Sequence, residues 1–268
     1  MLDLSTPQIM GILNLTPDSF FDGGRYGDLD LALRQVDQML QEGAVIIDLG
    51  GMSSRPGAEF ISVDEELQRV MPVVEAVRQA FPEAILSIDT VRATVARQAI
   101  EAGASIVNDI SAGSVDPELW PTVAELQAPY VLMHMQGVPS TMQDRPEYAD
   151  VNQEVVDFFI EKTAQLRELG VNDILLDVGF GFGKTVAHNY SLLKHLHQFR
   201  LLDAPLLVGL SRKSMVCKVL NVNPKQALNG TTALHMVALQ QGASILRVHD
   251  VREARETIRL WQQLDQTS

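Results

Sequence analysis

Eight short apolar runs recur along the chain, and each one stops on a polar or ionisable residue. They are IMGIL before Asn14, VII before Asp48, ILSI before Asp89, SIV before Asn108 and Asp109, VLM before His134, ILL before Asp177, LLVGL before Ser211 and ILRV before His249. Aliphatic runs without polar alternation predict strands buried on both faces, as in a parallel sheet. Between them lie segments with helical period and polar faces, at 29–42, 63–80, 91–102, 116–127, 151–169, 189–200, 213–220, 226–241 and 252–265. Gly43, Gly103, Gly170 and Gly242 follow four of these where a left-handed cap is expected, each leading into the next strand.

About eight alternations of strand and helix, with short connections and no linker, predict a single-domain (β/α)8 TIM barrel over residues 1–268, with a doubly wound open sheet as the rival. In a closed barrel all strand C-termini meet at one face, so Asn14, Asp89, Asn108, Asp177, Lys213 and His249 reach one ligand; an open sheet spreads them along an edge. The first two strand-to-helix connections, LTPDSFFDGGRYGD (15–28) and GGMSSRPGAEF (50–60), are long and glycine-rich and carry Phe and Arg. They read as mobile covers for a site at that face.

The formal net charge of −13 disfavours nucleic acid and anionic membranes as partners. Against it, Arg55, Arg212, Lys213 and Arg247 form a local positive spot suited to an anionic ligand. The lone cysteine, Cys217, sits in an apolar run and excludes intramolecular disulfides and cysteine-rich zinc sites. The N-terminus has neither a basic segment nor a long apolar one, and no run approaches a membrane span, so a cytoplasmic enzyme is the expectation.

The segment VGFGFGKT (178–185) misses the phosphate-loop pattern by one position, because Val178 stands where glycine belongs. It reads as a strand-to-helix turn whose glycines let a flat ligand approach the backbone. LSRKSM (210–215) reads as an anion-binding turn, with Lys213 and Ser214 at a helix N-terminus. A Ser-His-Asp hydrolase can be assembled from Ser211 and His249, but the G-x-S-x-G elbow is missing. Magnesium needs one or two protein oxygens when a substrate phosphate completes its shell, and Asn14 supplies one. Asp89, Asn108 and Asp177 together suggest a polar pocket, and a carboxylate that accepts two parallel N–H bonds fits an amidine or aminopyrimidine edge.

With these segments in line, from MGILNLTPDSFFDGG through IIDLGG, SRPGA, SIDT, VNDIS, LMHMQGVPSTMQ, DVGFGFGKTVAHNYSLL and LLVGLSRKSM to ILRVHDV, nearly the whole chain resembles the dihydropteroate synthase family. That family joins p-aminobenzoate to a dihydropterin diphosphate in folate biosynthesis, on a (β/α)8 barrel, and is the target of sulfonamides. The resemblance implies that Asp89, Asn108, Asp177 and Lys213 hold the pterin, with Asp177 on its aminopyrimidine edge. It implies further that Arg247 and His249 bind the diphosphate, that Asn14 coordinates Mg2+, and that Ser54 faces the diphosphate end. Phe21 and Pro56 would flank the p-aminobenzoate, its carboxylate near Ser214, with Arg55 on the same loop as a further substrate contact. Asp89, Lys213, Arg247 and His249 are the catalytic candidates, and a homodimer packed through barrel helices is the expected assembly.

Two segments depart from the family's pattern. GGMSSRPGA stands where GGESTRPGA is usual, so Met52 replaces a glutamate and Ser54 a threonine; DVGFGFGK stands where DPGFGFGK is usual, so Val178 replaces a proline. The alternative is a pterin-binding protein, or a methyltransferase-type pterin domain, without synthase activity. SRKS and RVHD weigh against it, because a methyl carrier has no diphosphate to bind.

Overall fold

The polar strand endings meet at one rim because the sheet closes on itself. In this computed structural model, which describes residues 2–16, 24–53, 61–137, 142 and 146–265 (24–27 by backbone alone), eight parallel strands form a barrel in chain order. The strands are β1 (Gln8–Asn14), β2 (Ile46–Gly50), β3 (Ile85–Asp89), β4 (Ile106–Asp109), β5 (Tyr130–Met133), β6 (Ile174–Asp177), β7 (Leu206–Val208) and β8 (Ile245–Val248). Closure is made by β8 on β1, in a register that sets Gln8 beside Ile245 and Gly11 beside Val248. The barrel expectation therefore holds, and the open sheet is excluded.

The helices outside are α1 (Gly24–Glu42), α2 (Val63–Ala80), α3 (Ala93–Glu101), α4 (Leu119–Leu126), α5 (Val151–Glu168), α6 (Val186–Lys194), α7 (Ser214–Leu220), α8 (Leu228–Gln240) and α9 (Val251–Asp265). The segment expected as one helix over 189–200 divides into α6 and a tighter turn at Leu196–Leu202. α6 starts earlier than its apolar period suggests because Thr185 and His188 form a reciprocal cap at its N-terminus. Gly43, Gly103, Gly170 and Gly242 all have positive φ, between 92° and 110°, as helix-ending glycines should. Among the described residues, no helix is long and apolar enough to cross a membrane.

Side-chain period 2 along each strand decides what lies inside the barrel. The lower interior is an apolar plug of Met10, Ile46, Ile106, Val131, Leu175, Leu207 and Ile245. Two residues further along four of these strands, on the same inward face, stand Asp48, Asn108, Asp177 and Arg247. A larger apolar layer, including Val36, Val74, Leu119, Phe159 and Leu239, fills the space between strands and helices. The plug gives the polar residues a dry floor, and the plane above it faces the strand C-termini, where barrel enzymes carry their sites.

Candidate active site

The floor of the site is built around Arg247. Its Nε lies 2.7 Å from Asp48 Oδ2, and its Nη2 lies 2.6 Å from the same oxygen and 2.7 Å from Asp89 Oδ2. Asn108 Nδ2 donates to Asp48 Oδ2 at 3.0 Å, so one fully buried carboxylate orients both an amide and a guanidinium. Burial works against the charge on Arg247, yet Asp48 and Asp89 hold its proton above the usual arginine range. Burial pushes Asp89 up to about 7, opposed by Arg247 and reinforced by Asp48 and Glu66. Glu66, buried on α2, has its own proton affinity raised by burial, with Thr90, Arg92 and Arg69 opposing.

Asp177 ends β6 across the barrel. One of its oxygens accepts from the Gly179 amide at 2.8 Å; burial raises its pKa, with Lys213 and that amide opposing. Its other oxygen faces Gly209, where a methyl would stand 3.6 Å from Asp177 Oδ2 and 3.9 Å from Arg247 Cβ. Across the rim Gly50 does the same for Asn14, since a methyl there would stand 3.8 Å from both Asn14 Oδ1 and Asp89 Oδ2. At both glycines a methyl would only touch these side chains at ordinary contact distance, so the backbone runs close beside the carboxylates without covering them.

Lys213 caps α7 and turns its side chain toward Asp177. Its ammonium donates to the Phe180 carbonyl and lies 4.3 Å from the centre of the Phe182 ring. Burial lowers it to about 8, with Asp177 opposing. At the rim, the His249 amide donates to Ser211 Oγ at 3.3 Å, and its Nδ1 lies 3.2 Å from the same oxygen. Burial, then Arg247 and Arg212, lowers His249 to about 4, so the ring is neutral. Ser214 opens α7 and is exposed.

The structure therefore brings Asn14, Asp89, Asn108, Asp177, Lys213, Arg247 and His249 to one face. Two expectations change. Arg212 is no free member of a positive spot: its Nε donates to Asp250 at 2.8 Å and a second guanidinium nitrogen pairs with the same carboxylate. The glycines of 178–184, expected to admit a ligand, instead admit the neighbouring strand exit. A Cβ at Gly179 would lie 2.0 Å from the His134 carbonyl oxygen, and one at Gly183 would lie 2.4 Å from that of Gln136. Of the three, Gly181 alone faces a site residue, Lys213. Phe21, Ser54, Arg55 and Pro56 lie outside the described residues.

Sequence reasoning left Asp48 out of the site because β2 runs two residues beyond it; its position two residues after Ile46 of the barrel plug places it inside the barrel. It also left out Lys184, discussed below. Met52 has a plain physical role: it is buried in an apolar collar with Val91, Ile110, Met133, Met142 and Phe182, a setting that suits a thioether. Val178 is equally buried, and Cys217 packs at the edge of the core, as expected. Among the described residues there is no cluster of three or more His, Cys, Asp or Glu that would cage a metal. A cation held by one amide oxygen, water and a ligand's phosphates fits Asn14 at the open rim.

A closed barrel with paired carboxylates, an inward lysine and a clamped arginine at its C-terminal rim defines an enzyme that binds a flat, nitrogen-rich ring. The chain belongs to the pterin binding enzyme family, whose pattern matches residues 10–249. Among curated relatives, the dihydropteroate synthase of Escherichia coli is 51% identical over 261 residues, covering 97% of this chain and 92% of that protein. Among solved structures, the Yersinia pestis dihydropteroate synthase with a sulfonamide drug superposes with a TM-score of 0.94 at 47% identity, covering 99% of this chain and 97% of that one. The Xanthomonas albilineans dihydropteroate synthase with 4-aminobenzoic acid has a TM-score of 0.93 at 40% identity, covering 100% and 96%.

Proposed function

We propose that this chain is a dihydropteroate synthase, which condenses 6-hydroxymethyl-7,8-dihydropterin diphosphate with p-aminobenzoate to give 7,8-dihydropteroate and diphosphate. The observation that carries the reading is the pairing, at one barrel rim, of the buried Asp177 carboxylate with the Asp48–Arg247–Asp89 clamp. One Asp177 oxygen is fixed by the Gly179 amide and the other is turned to the gap at Gly209. That carboxylate takes the aminopyrimidine edge of the pterin, with Asn108 and Lys213 on the ring's other polar atoms. The 4-aminobenzoic acid bound by the Xanthomonas albilineans relative supports the second substrate.

Arg247 and His249 stand on the same strand and its exit, and they take the diphosphate. Arg247 supplies positive charge and His249 a neutral ring, and both are already held in place, so they stabilise charge on the departing oxygen without reorganising. The methylene C–O bond breaks with its electron pair leaving on diphosphate. The electron-rich pterin delocalises the methylene cation beside Asp89, and the neutral aniline nitrogen attacks it and loses a proton. Mg2+ is part of this proposal: Asn14 would hold it, and when bound it supplies further charge neutralisation to the diphosphate.

A homodimer is proposed as well, supported by the exposed apolar side chains Leu201 in the 196–202 turn and Val219 and Leu220 at the end of α7. Sedimentation velocity tests it, and a monomer at micromolar concentration would overturn it.

The test of function is diphosphate release from the pterin diphosphate with magnesium, with and without p-aminobenzoate. Product formation is the expected result, with slow diphosphate release when the amine is omitted. Pterin binding without any product would overturn the synthase reading in favour of a pterin-binding protein. Strict dependence of C–O cleavage on the amine would overturn the dissociative order.

A further inference from the structure

Lys184 is buried and takes no part in the reaction above. Its Nζ lies 2.9 Å from His134 Nδ1, 3.2 Å from the His134 carbonyl oxygen, 3.1 Å from that of Gly179 and 3.0 Å from that of Phe182. Among the described residues no carboxylate pairs with it at salt-bridge distance. Burial lowers this amine to about 7, with Asp177 opposing, and a buried amine so placed survives where its hydrogen bonds hold something in place. Burial and Lys184 keep the His134 ring neutral, at about 3, so its Nδ1 lone pair accepts.

The turn that Lys184 ties has two faces. One face lies flat on the exit of β5, where Gly179 and Gly183 press against the backbone of His134 and Gln136. The other is a socket for Lys213, made of the Phe180 carbonyl and the Phe182 ring. The Gly179 residue belongs to both arrangements: its amide holds Asp177, and its carbonyl is held by Lys184. Tyr148 adds one more tie, its hydroxyl donating to the Gly183 carbonyl at 2.9 Å.

We propose that Lys184 is a positioning residue for the pterin site: by gathering the carbonyls of Gly179 and Phe182 onto His134, it sets the turn that seats Lys213 and aims Asp177. The assignment rests on the synthase reading for its substrate but acts on ring binding alone. Lys184 touches no substrate, so its loss is felt through the pterin and leaves p-aminobenzoate aside.

The experiment compares wild type with Lys184→Met, which keeps an unbranched apolar stem and loses the donors, and Lys184→Gln, which keeps two of them. In Lys184→Met the KM for the pterin diphosphate rises about tenfold or more, the scale set by displacing a binding group by about an ångström, while the KM for p-aminobenzoate stays within about twofold. Lys184→Gln falls between it and wild type. His134→Leu, which removes one acceptor and leaves the lysine, raises the same KM about threefold and decides the matter if Lys184→Met does not fold. Calorimetric titration with 6-hydroxymethyl-7,8-dihydropterin shows the same weakening without turnover. The proposal is therefore judged even if wild type releases no diphosphate, an outcome that counts against the synthase reading alone. Folded variants with unchanged pterin affinity, or with both Michaelis constants raised alike, overturn the proposal.

Discussion

His235 lies in α8, fully buried, and neither of its ring nitrogens has a hydrogen-bond partner among the described residues. Burial lowers its pKa from 6.5 to about 4, with Asp250 opposing. The unfolded chain therefore binds a proton between these values that the folded chain refuses. Stability is intact above the unfolded value and is lost as pH falls from 6.5 toward 4. By linkage the loss from this one ring is close to nil at about pH 7.5 and about 2 kcal/mol at about pH 5, which for a chain of this size is about 4–8 °C in melting temperature.

His235→Leu removes the proton site and two unsatisfied nitrogens at similar volume. The variant should be no less stable than wild type near neutrality and should lose about 4–8 °C less on acidification to about pH 5. Melting followed by circular dichroism at both pH values measures the difference. His134 and His249 also titrate abnormally, but they are present in both proteins and cancel. Equal acid losses in the two proteins would refute the reasoning, since they would mean that His235 is protonated in the fold or already paired there.

Asp177→Ala removes the carboxylate proposed to take the aminopyrimidine edge, and should weaken pterin binding by about 100-fold, the scale of lost hydrogen bonds to a charged group; calorimetry decides, and a change under about threefold would move the pterin elsewhere. Asp89, raised to about 7, acts through its ionised form, so kcat/KM for the pterin diphosphate should fall as pH drops below that value, and Asp89→Asn should flatten the limb while lowering the rate. Because the charge on Asp48 helps raise Asp89, Asp48→Asn should shift the same limb to lower pH, which a rate profile against pH reads directly. A limb left where it was would show that the two carboxylates do not sense each other.

What the sequence made legible, and what it hid, follows from how each feature is encoded. The barrel was readable because a strand buried on both faces leaves an unbroken apolar run, and eight such runs separated by helical periods admit few arrangements. The strand-end polar residues were readable because they interrupt those runs. Asp48 was underweighted because Leu49 and Gly50 continue the strand past it, and its inward aim follows only once Ile46, two residues before it, is seen in the barrel plug. Lys184 was given no role within a turn read for its glycines, since its partners are mostly main-chain carbonyls, which a sequence does not distinguish from any others. Arg212 looked available because its partner Asp250 lies 38 positions away on another turn.

The carboxylates explain how a synthase of this kind keeps its cation ready. A guanidinium deep in a barrel is unstable there without anions, and one aimed at a diphosphate must not swing away when that ligand is absent. Asp48 and Asp89 meet both requirements, and they take Nε and Nη2 to do so. The cost appears on Asp89, whose proton affinity rises first through burial and then through the nearby charges of Asp48 and Glu66, with Arg247 opposing. On the proposed assignment, arriving diphosphate would add negative charge beside that group and raise its affinity further, while the Asp48 contact keeps Arg247 in place. The clamp is therefore a preorganised electrostatic device whose protonation state is linked to ligand binding. If Asp89 acts as proposed, the pH sensitivity of the reaction falls on it, raised to about 7, rather than on His249, lowered to about 4, the residue that its type alone would suggest.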